Sequence, residues 1–355
     1  MGKKVGDWYH YSGVVHIHTT ESDGTRPLDE IVAIGQQVGL DFMMFSDHMG
    51  LTNRDAGLEG IYGRTLVVIG YEHNDVEDNN HYLIFNSKGV YPADMPARQY
   101  VEAVRRDGAI GIIAHPIEHR SREGKHPPYP WLEWETDQFD GIEIWNQMSE
   151  WMEKLTSWNK VIMAFSPRKS MVGPTAETLQ IWDQLSRKGR YVGVAGVDAH
   201  AYPVKVGPFT VEIFPYKVHF RSLRTHVILD EPLASGFETA SRQLYRALVR
   251  CRVFNSNRRW GDADRFIFVA DDGGRRVVSG DSLDDLQGVK ISVKLPSKAT
   301  IRLVASGDTV AETLSDGLDY AVPAPGLYRV EAWKGRRGWI FSNHIRIGVD
   351  QPPQA

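Results

Sequence analysis

A single cysteine, Cys251, stands among 355 residues. One thiol can build no intrachain disulfide, no CxxC redox pair and no thiolate metal cluster. Long apolar runs are also missing. No stretch of about twenty apolar residues offers a membrane span, and the opening MGKKVGDWYHYSG has lysines but no apolar signal segment. The expectation is a cytoplasmic enzyme with no membrane partner. Basic blocks are lacking too: 41 Lys and Arg against 45 Asp and Glu leave a formal charge of -4, which does not favour a nucleic acid polymer as partner. There is no internal repeat and no low-complexity tract. With 42% hydrophobic and 24% charged residues the chain can fill a sizeable core, and its length favours one large domain with a smaller companion.

What is present begins with apolar segments that read as buried strands at 13–17, 42–46, 65–70, 82–86, 109–114, 141–145 and 191–197. Helical patterns lie between them. PLDEIVAIGQQVGL sets Leu28, Ile31, Val32, Gly35 and Val38 at near-helical spacing, with Gly39 as C-cap, and PARQYVEAVRRDGA and TAETLQIWDQLSRKG repeat the arrangement. Strands alternating with helices predict an α/β domain with mainly parallel strands, either open or closed into a barrel. After a helical segment at 240–250 the character changes. RFIFVA, VKISVKL, TIRLVA, GLYRVEAW and NHIRIGV read as short half-buried strands, predicting a small β-sandwich over about 262–350 joined near 255–264. That sandwich could pack on the first domain, rim its pocket or support a homo-oligomer.

The apolar segments end in chemistry. In VVHIHTTESDG, His16 and His18 are one residue apart and project to one face if both stay in strand geometry. Gly24 permits a turn that can bring Asp23 back towards them. Asp47 and His48 follow the next segment, Glu72 and His73 the third, His115 follows GIIA, and Asp198 and His200 end VGVAGVDAH. Such residues gather at strand carboxyl ends in parallel α/β architectures. Burying so many polar groups unpartnered would cost about 1–3 kcal/mol each, and shared metal coordination satisfies them together. Imidazoles suit zinc, iron or manganese; carboxylates also suit manganese and magnesium. Glu72, central in the order, is the natural bridge between two ions.

This ordered series, HIHTTESDG, SDH, GYEH, AHP and GVDAH, resembles the polymerase-and-histidinol-phosphatase (PHP) family over roughly residues 8–255. The resemblance implies a distorted seven-stranded (β/α) barrel of PHP type, with two or three divalent ions (zinc, manganese or iron) at the strand carboxyl ends. It further implies that His16, His18 and Asp198 hold one ion, that Glu72 bridges to a second held by His115, and that His48 and His200 complete another site. Asp23 stands where some members have histidine; it could bind that ion or orient a neighbour. His81, in NNHYLIFN, matches a histidine that often follows the bridging glutamate, and Glu143 and Asn146 match an acidic-and-asparagine segment beside the second ion. The tail RRGWIFSNHIRI is similar to that of the carbaryl-hydrolase-like branch, although His344 replaces the usual proline and Asn80 replaces a glycine before His81.

The expected activity is hydrolysis of a small phosphate monoester or diester by a metal-activated water, with Asp23 and His81 as the proton-handling groups. Alternatives are a carboxyl-ester, carbamate or amide hydrolase, and a noncatalytic metal-dependent binding module. A phosphorylated small-molecule substrate calls for a cation beside the metals. Arg168 and Lys169, or Arg120 and Arg122, could supply it. The helical spacing of Trp151 and Trp158 predicts one shared packing face. The domains are expected to divide as 1–260, the hydrolase, and 261–355, the β-sandwich.

Overall fold

The computed structural model describes residues 2–120, 127–156, 158–206 and 208–349. Seven strands close on one another: β1 (Trp8–Ile17), β2 (Phe42–His48), β3 (Thr65–His73), β4 (Tyr82–Phe85), β5 (Ile110–Ile113), β6 (Gly141–Asn146) and β7 (Val192–Ala199). Neighbours pair in parallel from β1 to β3 and from β5 to β7, and β7 returns in parallel to β1. Only β4 runs the other way, antiparallel to both β3 and β5. The result is a distorted seven-stranded barrel of PHP type, as the resemblance implied.

Helices cover strands that are buried on both faces, which is why the strand segments read as near-continuous apolar runs. Alternate residues serve two cores. Met43, Phe45, Val67 and Ile69 pack with Leu28, Ile31 and Val32 of the helix Leu28–Gln37. Met44, Val68, Leu83 and Val194 pack with Leu244 and Leu248 of the helix Phe237–Val249. Gly39, at φ +74, ends the first helix as expected. Thr175 caps the helix Ala176–Lys188 by accepting from the Thr178 amide.

The C-terminal strands differ from the short pieces read in the sequence. VKISVKL and TIRLVA belong to one strand, Lys290–Ala305, beside a second long strand, Asp308–Ala321. Pro296 lies in the register shift between Lys294 and Ala299, where a missing N–H costs no ladder bond. The bend lets one strand serve two neighbours: residues 290–294 pair with Ile267–Asp271, and 300–305 with Gly326–Lys334. A separate apolar core forms here around Phe268, Ile291, Ile301, Val330 and Trp339.

Hydrogen bonds run unbroken from barrel to tail. Leu223–Leu229 pairs with the first half of β1 and with Val253–Asn257, which in turn pairs with Arg337–Ser342. Asn343 brackets Gly193 of β7, accepting from its amide at 2.8 Å and donating to its carbonyl at 2.9 Å. Arg329 grips Asp183 through two bonds of 2.7 and 2.8 Å, and His344 donates to the same carboxylate at 2.8 Å. His344 therefore fastens the tail to a barrel helix. No described helix is long and apolar enough to cross a membrane.

Candidate metal centre

The carboxyl ends of β1, β2, β3, β5, β6 and β7 bring His16, His48, Glu72, His115, Glu143 and Asp198 to one end of the barrel, with His18 and His200 just beyond β1 and β7. His81 joins for a different reason. It precedes β4, and because β4 is reversed its amino end lies where its neighbours end.

At the centre is one carboxylate. Glu72 Oε2 faces His16 Nε2 at 2.9 Å, His18 Nε2 at 3.3 Å and His48 Nδ1 at 3.7 Å; Oε1 faces His81 Nδ1 at 2.7 Å and His115 Nε2 at 3.2 Å. Asp198 Oδ1 lies 3.5 Å from both His16 Nε2 and His18 Nε2 and 3.4 Å from His200 Nδ1. Asp23 Oδ1 approaches His200 at 3.1 Å, His18 at 3.5 Å and His48 at 3.8 Å. Among the described residues four overlapping donor groups result: His16–His18–Glu72, His16–His115–Asp198, His48–Glu72–His81 and His18–Asp23–His48–His200, each with ligand atoms within 4.8 Å of one another.

These residues fit divalent cations on two grounds. The donor set is imidazole and carboxylate throughout. In addition, His18 Nε2, His48 Nδ1 and His115 Nδ1 are buried without a hydrogen-bond partner among the described residues, and the first two nonetheless point at carboxylate oxygens. Burial lowers the basicity of His16, yet the charges of Glu72, Asp198 and Glu143 outweigh it and hold the imidazole well above its usual range. His18 is likewise raised to about 9 and His81 to about 10, against burial, by their carboxylate partners. His48, where burial wins, falls to about 4. Glu72 and Asp198 lie well below the carboxylate range because the surrounding imidazoles overcome burial. Protons thus occupy positions that a cation would take.

The backbone is bent to achieve this. His16, His115 and Asp198 have φ of +71, +28 and +50, a region costing about 1–3 kcal/mol for non-glycine residues and concentrated at functional sites. A register shift between Val15 and Ile17 accompanies the His16 conformation. The HxH pair therefore converges through a bulge, with ring centroids 5.0 Å apart, rather than through a regular strand. Gly24 allows a close approach: a Cβ there would stand 2.4 Å from the His18 carbonyl oxygen.

A supporting layer fixes the donors. His16 Nδ1 donates to Glu143 at 2.8 Å, and Glu143 also accepts from the His115 amide at 2.8 Å and from Asn146 Nδ2 at 2.7 Å. Asn146 in turn caps the helix Gln147–Glu153. Asp47 accepts from the amide and hydroxyl of Thr19, from Ser22 Oγ and from Asn53 Nδ2, which locks the turn that carries Asp23. His73 turns away and packs against Tyr100 with ring centroids 4.2 Å apart.

Several contributors were not singled out in the sequence. Tyr202 donates to Asp23 Oδ2 at 2.5 Å and stacks on His200 at 4.8 Å; its place two residues after His200 continued the visible spacing. Glu118, Tyr129 and Asp78 gave no local signal. Gly196 makes room for Glu143, since a Cβ would fall 1.6 Å from Glu143 Oε1. Arg168 donates to the Arg221 carbonyl at 3.4 Å, and Lys169 is exposed. Arg122 falls outside the described residues. The shared Trp151–Trp158 face does not form: the helix ends at Glu153, so Trp151 is buried while Trp158 is 98% exposed.

No family model matches the chain, and no curated protein does. Among solved structures it is similar to a two-domain protein from Bacteroides vulgatus containing a predicted PHP-like metal-dependent phosphoesterase, at TM-score 0.46 and 12% identity over 97% of each chain. It is also similar to PsfC from Pseudomonas syringae, at TM-score 0.38 and 12% identity over 65% of this chain and 86% of that one. A third likeness is to a Bifidobacterium adolescentis protein described as a metal-dependent phosphoesterase, at TM-score 0.34 and 14% identity over 56% and 92%. These likenesses are shallow, and the functional reading rests on the residues of the site.

Proposed function

We propose that the protein is a PHP-family metal-dependent hydrolase that cleaves a small phosphate ester. The observation that carries this reading is Glu72: one buried carboxylate within 3.7 Å of ring nitrogens from His16, His18, His48, His81 and His115. In this reading His16, His18 and Asp198 hold one cation, and Glu72 is shared with a second held by His115. His48, His200 and Asp23 hold a third. Bound zinc, manganese or iron would supply an acidified water and neutralise charge on the scissile group.

The chain's own residues do the rest. Glu143 and Asp47 take no part in holding ions and keep the imidazoles and the Asp23 turn in place. His81, held between Glu72 and Asp78, can keep a proton at Nε2 for the departing oxygen; Asp78 lies 3.3 Å from that nitrogen. Asp23, with a side chain 44% exposed where Glu72 and Asp198 are buried, is placed to receive the proton lost by the attacking water. Hydrolysis then balances: the water oxygen bonds to phosphorus, the ester oxygen leaves, and that oxygen gains a proton.

The tail sequence RRGWIFSN supports membership of the carbaryl-hydrolase-like branch, with 1–260 as the hydrolase unit and 261–355 as its β-sandwich. A cytoplasmic setting accords with a single, buried cysteine. The test is a reconstitution with each metal, followed by release of phosphate, alcohol or amine from a panel of small esters. Phosphate release that disappears in Glu72→Ala supports the proposal. Alcohol or amine release without phosphate release moves the substrate to carboxyl esters or carbamates, and full turnover in Glu72→Ala removes the assignment of the bridge.

A further inference from the structure

The helix Lys160–Phe165 is apolar at every position after its first. Met163 and Ala164 turn inward and pack with Trp151, Ile213 and Phe214. Val161, Ile162 and Phe165 turn outward, 50%, 66% and 62% exposed, and Trp158, just ahead of the helix, is 98% exposed. Asn159 between them keeps right-handed helical dihedrals, so a spacing of three and four residues places all four on one side. A surface helix ordinarily turns polar residues to water. This one is apolar inside and out, and a contiguous exposed apolar patch marks a surface that docks on something.

The flank of the patch is basic. Arg168 follows Phe165 by about one turn and donates to the Arg221 carbonyl at 3.4 Å; burial and the like charges of Arg259 and Arg221 lower its basicity. Arg168, Arg221 and Arg259 make no ion pair among the described residues, and Arg221 and Lys169 are exposed. An apolar face edged by unpaired cations complements an acidic lipid surface. A second copy seated on the same face would bring two sets of these arginines together. A protein partner of fixed shape would need a groove, and Trp158 has almost no neighbour to form one. The patch is also tied to the rim of the metal centre: the Ile213 amide donates to the Tyr202 carbonyl at 2.8 Å, and the Tyr202 phenol holds Asp23. We propose that Trp158, Val161, Ile162 and Phe165 seat the protein on a membrane bearing acidic lipids, with Arg168, Lys169 and Arg221 against the headgroups. The expectation of no membrane partner rested on the lack of a span, which a helix lying in the headgroup layer does not need.

The experiment uses the full chain and two vesicle preparations, phosphatidylcholine alone and an equal mixture of phosphatidylcholine and phosphatidylserine. Bound protein is measured by co-sedimentation. The parent is expected to bind the mixed vesicles, to leave the neutral ones, and to be released as salt is raised. Arg168→Gln with Arg221→Gln should weaken binding ~10- to 30-fold, the loss of two cations at the surface. Ile162→Asp with Phe165→Asp should abolish it with the circular dichroism unchanged, since both side chains are exposed. If that pair fails to fold, Trp158→Ala serves instead and should weaken binding ~10-fold. A parent that stays in solution with both vesicles, or sediments equally with both, overturns the proposal. So does association between copies without lipid, seen by light scattering and lost in the same variants, which would assign the face to a second copy. No arm reads turnover, so failure here leaves the hydrolase reading standing, and failure of that reading leaves vesicle binding untouched.

Discussion

The His16 imidazole is held between two carboxylates: its Nδ1 donates to Glu143 at 2.8 Å, and its Nε2 faces Glu72 at 2.9 Å. A carboxylate has no proton to give, so Glu143 fixes the hydrogen on Nδ1 and leaves Nε2 as the atom that would coordinate a cation. Such partners raise ligand basicity, and their loss typically weakens metal binding about 10- to 100-fold. Glu143→Gln should therefore lower metal affinity by that order, read by chelator competition. Unchanged affinity would show that Glu143 is packing only.

Metal binding should release protons. In the cation-free protein His18 is raised to about 9 and His81 to about 10: burial pulls both down, and the Asp198 and Glu72 carboxylates 3.5 and 3.3 Å from His18 Nε2, and the charge of Glu72 on His81, prevail. Both rings carry protons at neutral pH, and a cation must displace them. Affinity is expected to climb with pH until those values are passed. Calorimetric titration in buffers of different ionisation enthalpy measures the protons released; a pH-independent affinity would contradict the proposal.

Tyr202→Phe should loosen the group His18–Asp23–His48–His200. The phenol donates to Asp23 Oδ2 at 2.5 Å, and a hydrogen bond to a charged group contributes about 1.5–3 kcal/mol. Elemental analysis should find fewer ions per chain in the variant, while the fold is kept. Full occupancy would mean that Tyr202 serves the substrate side instead.

Acid should undo the junction between tail and barrel. Burial favours the neutral form of Asp183, but the bonds from Arg329 and His344 win and hold its carboxyl well below the usual range. A depressed folded pKa contributes stability that is complete above the unfolded value of about 4 and is lost as pH falls through the folded one. Asp183→Ala should cost about 3–5 kcal/mol at neutral pH by denaturant unfolding, because the Arg329 guanidinium, 4% exposed, is left without that partner. The deficit relative to the parent should shrink as pH falls below about 4, since the parent loses the same interaction. A constant deficit across that range would rule the linkage out.

Much of the barrel was readable because its signals are local. Buried parallel strands appear as unbroken apolar runs, and amphipathic helices end at glycines such as Gly39. The candidate ligands were readable for a related reason: a strand end is a fixed place in the chain, so HxH and DxH stand next to the apolar run that positions them. The Trp151–Trp158 face failed where local spacing had to assume a helix longer than Gln147–Glu153. The long strand Lys290–Ala305 was divided because Pro296 reads as a break, and only its cross-strand partners show a bulge that tolerates it.

By itself the sequence determined the α/β alternation, the strand-end histidines and carboxylates, and a metal-suited donor set free of thiolate. Tertiary structure decided which atoms meet. Reversal of one strand, β4, brings His81 to the face where its neighbours end. The left-handed turns at His16, His115 and Asp198 aim their side chains inward, and Glu143 and Tyr202 take their positions from contacts with residues distant in the chain. Periodicity reports a residue's own element and face; distances between elements arise only when the barrel closes.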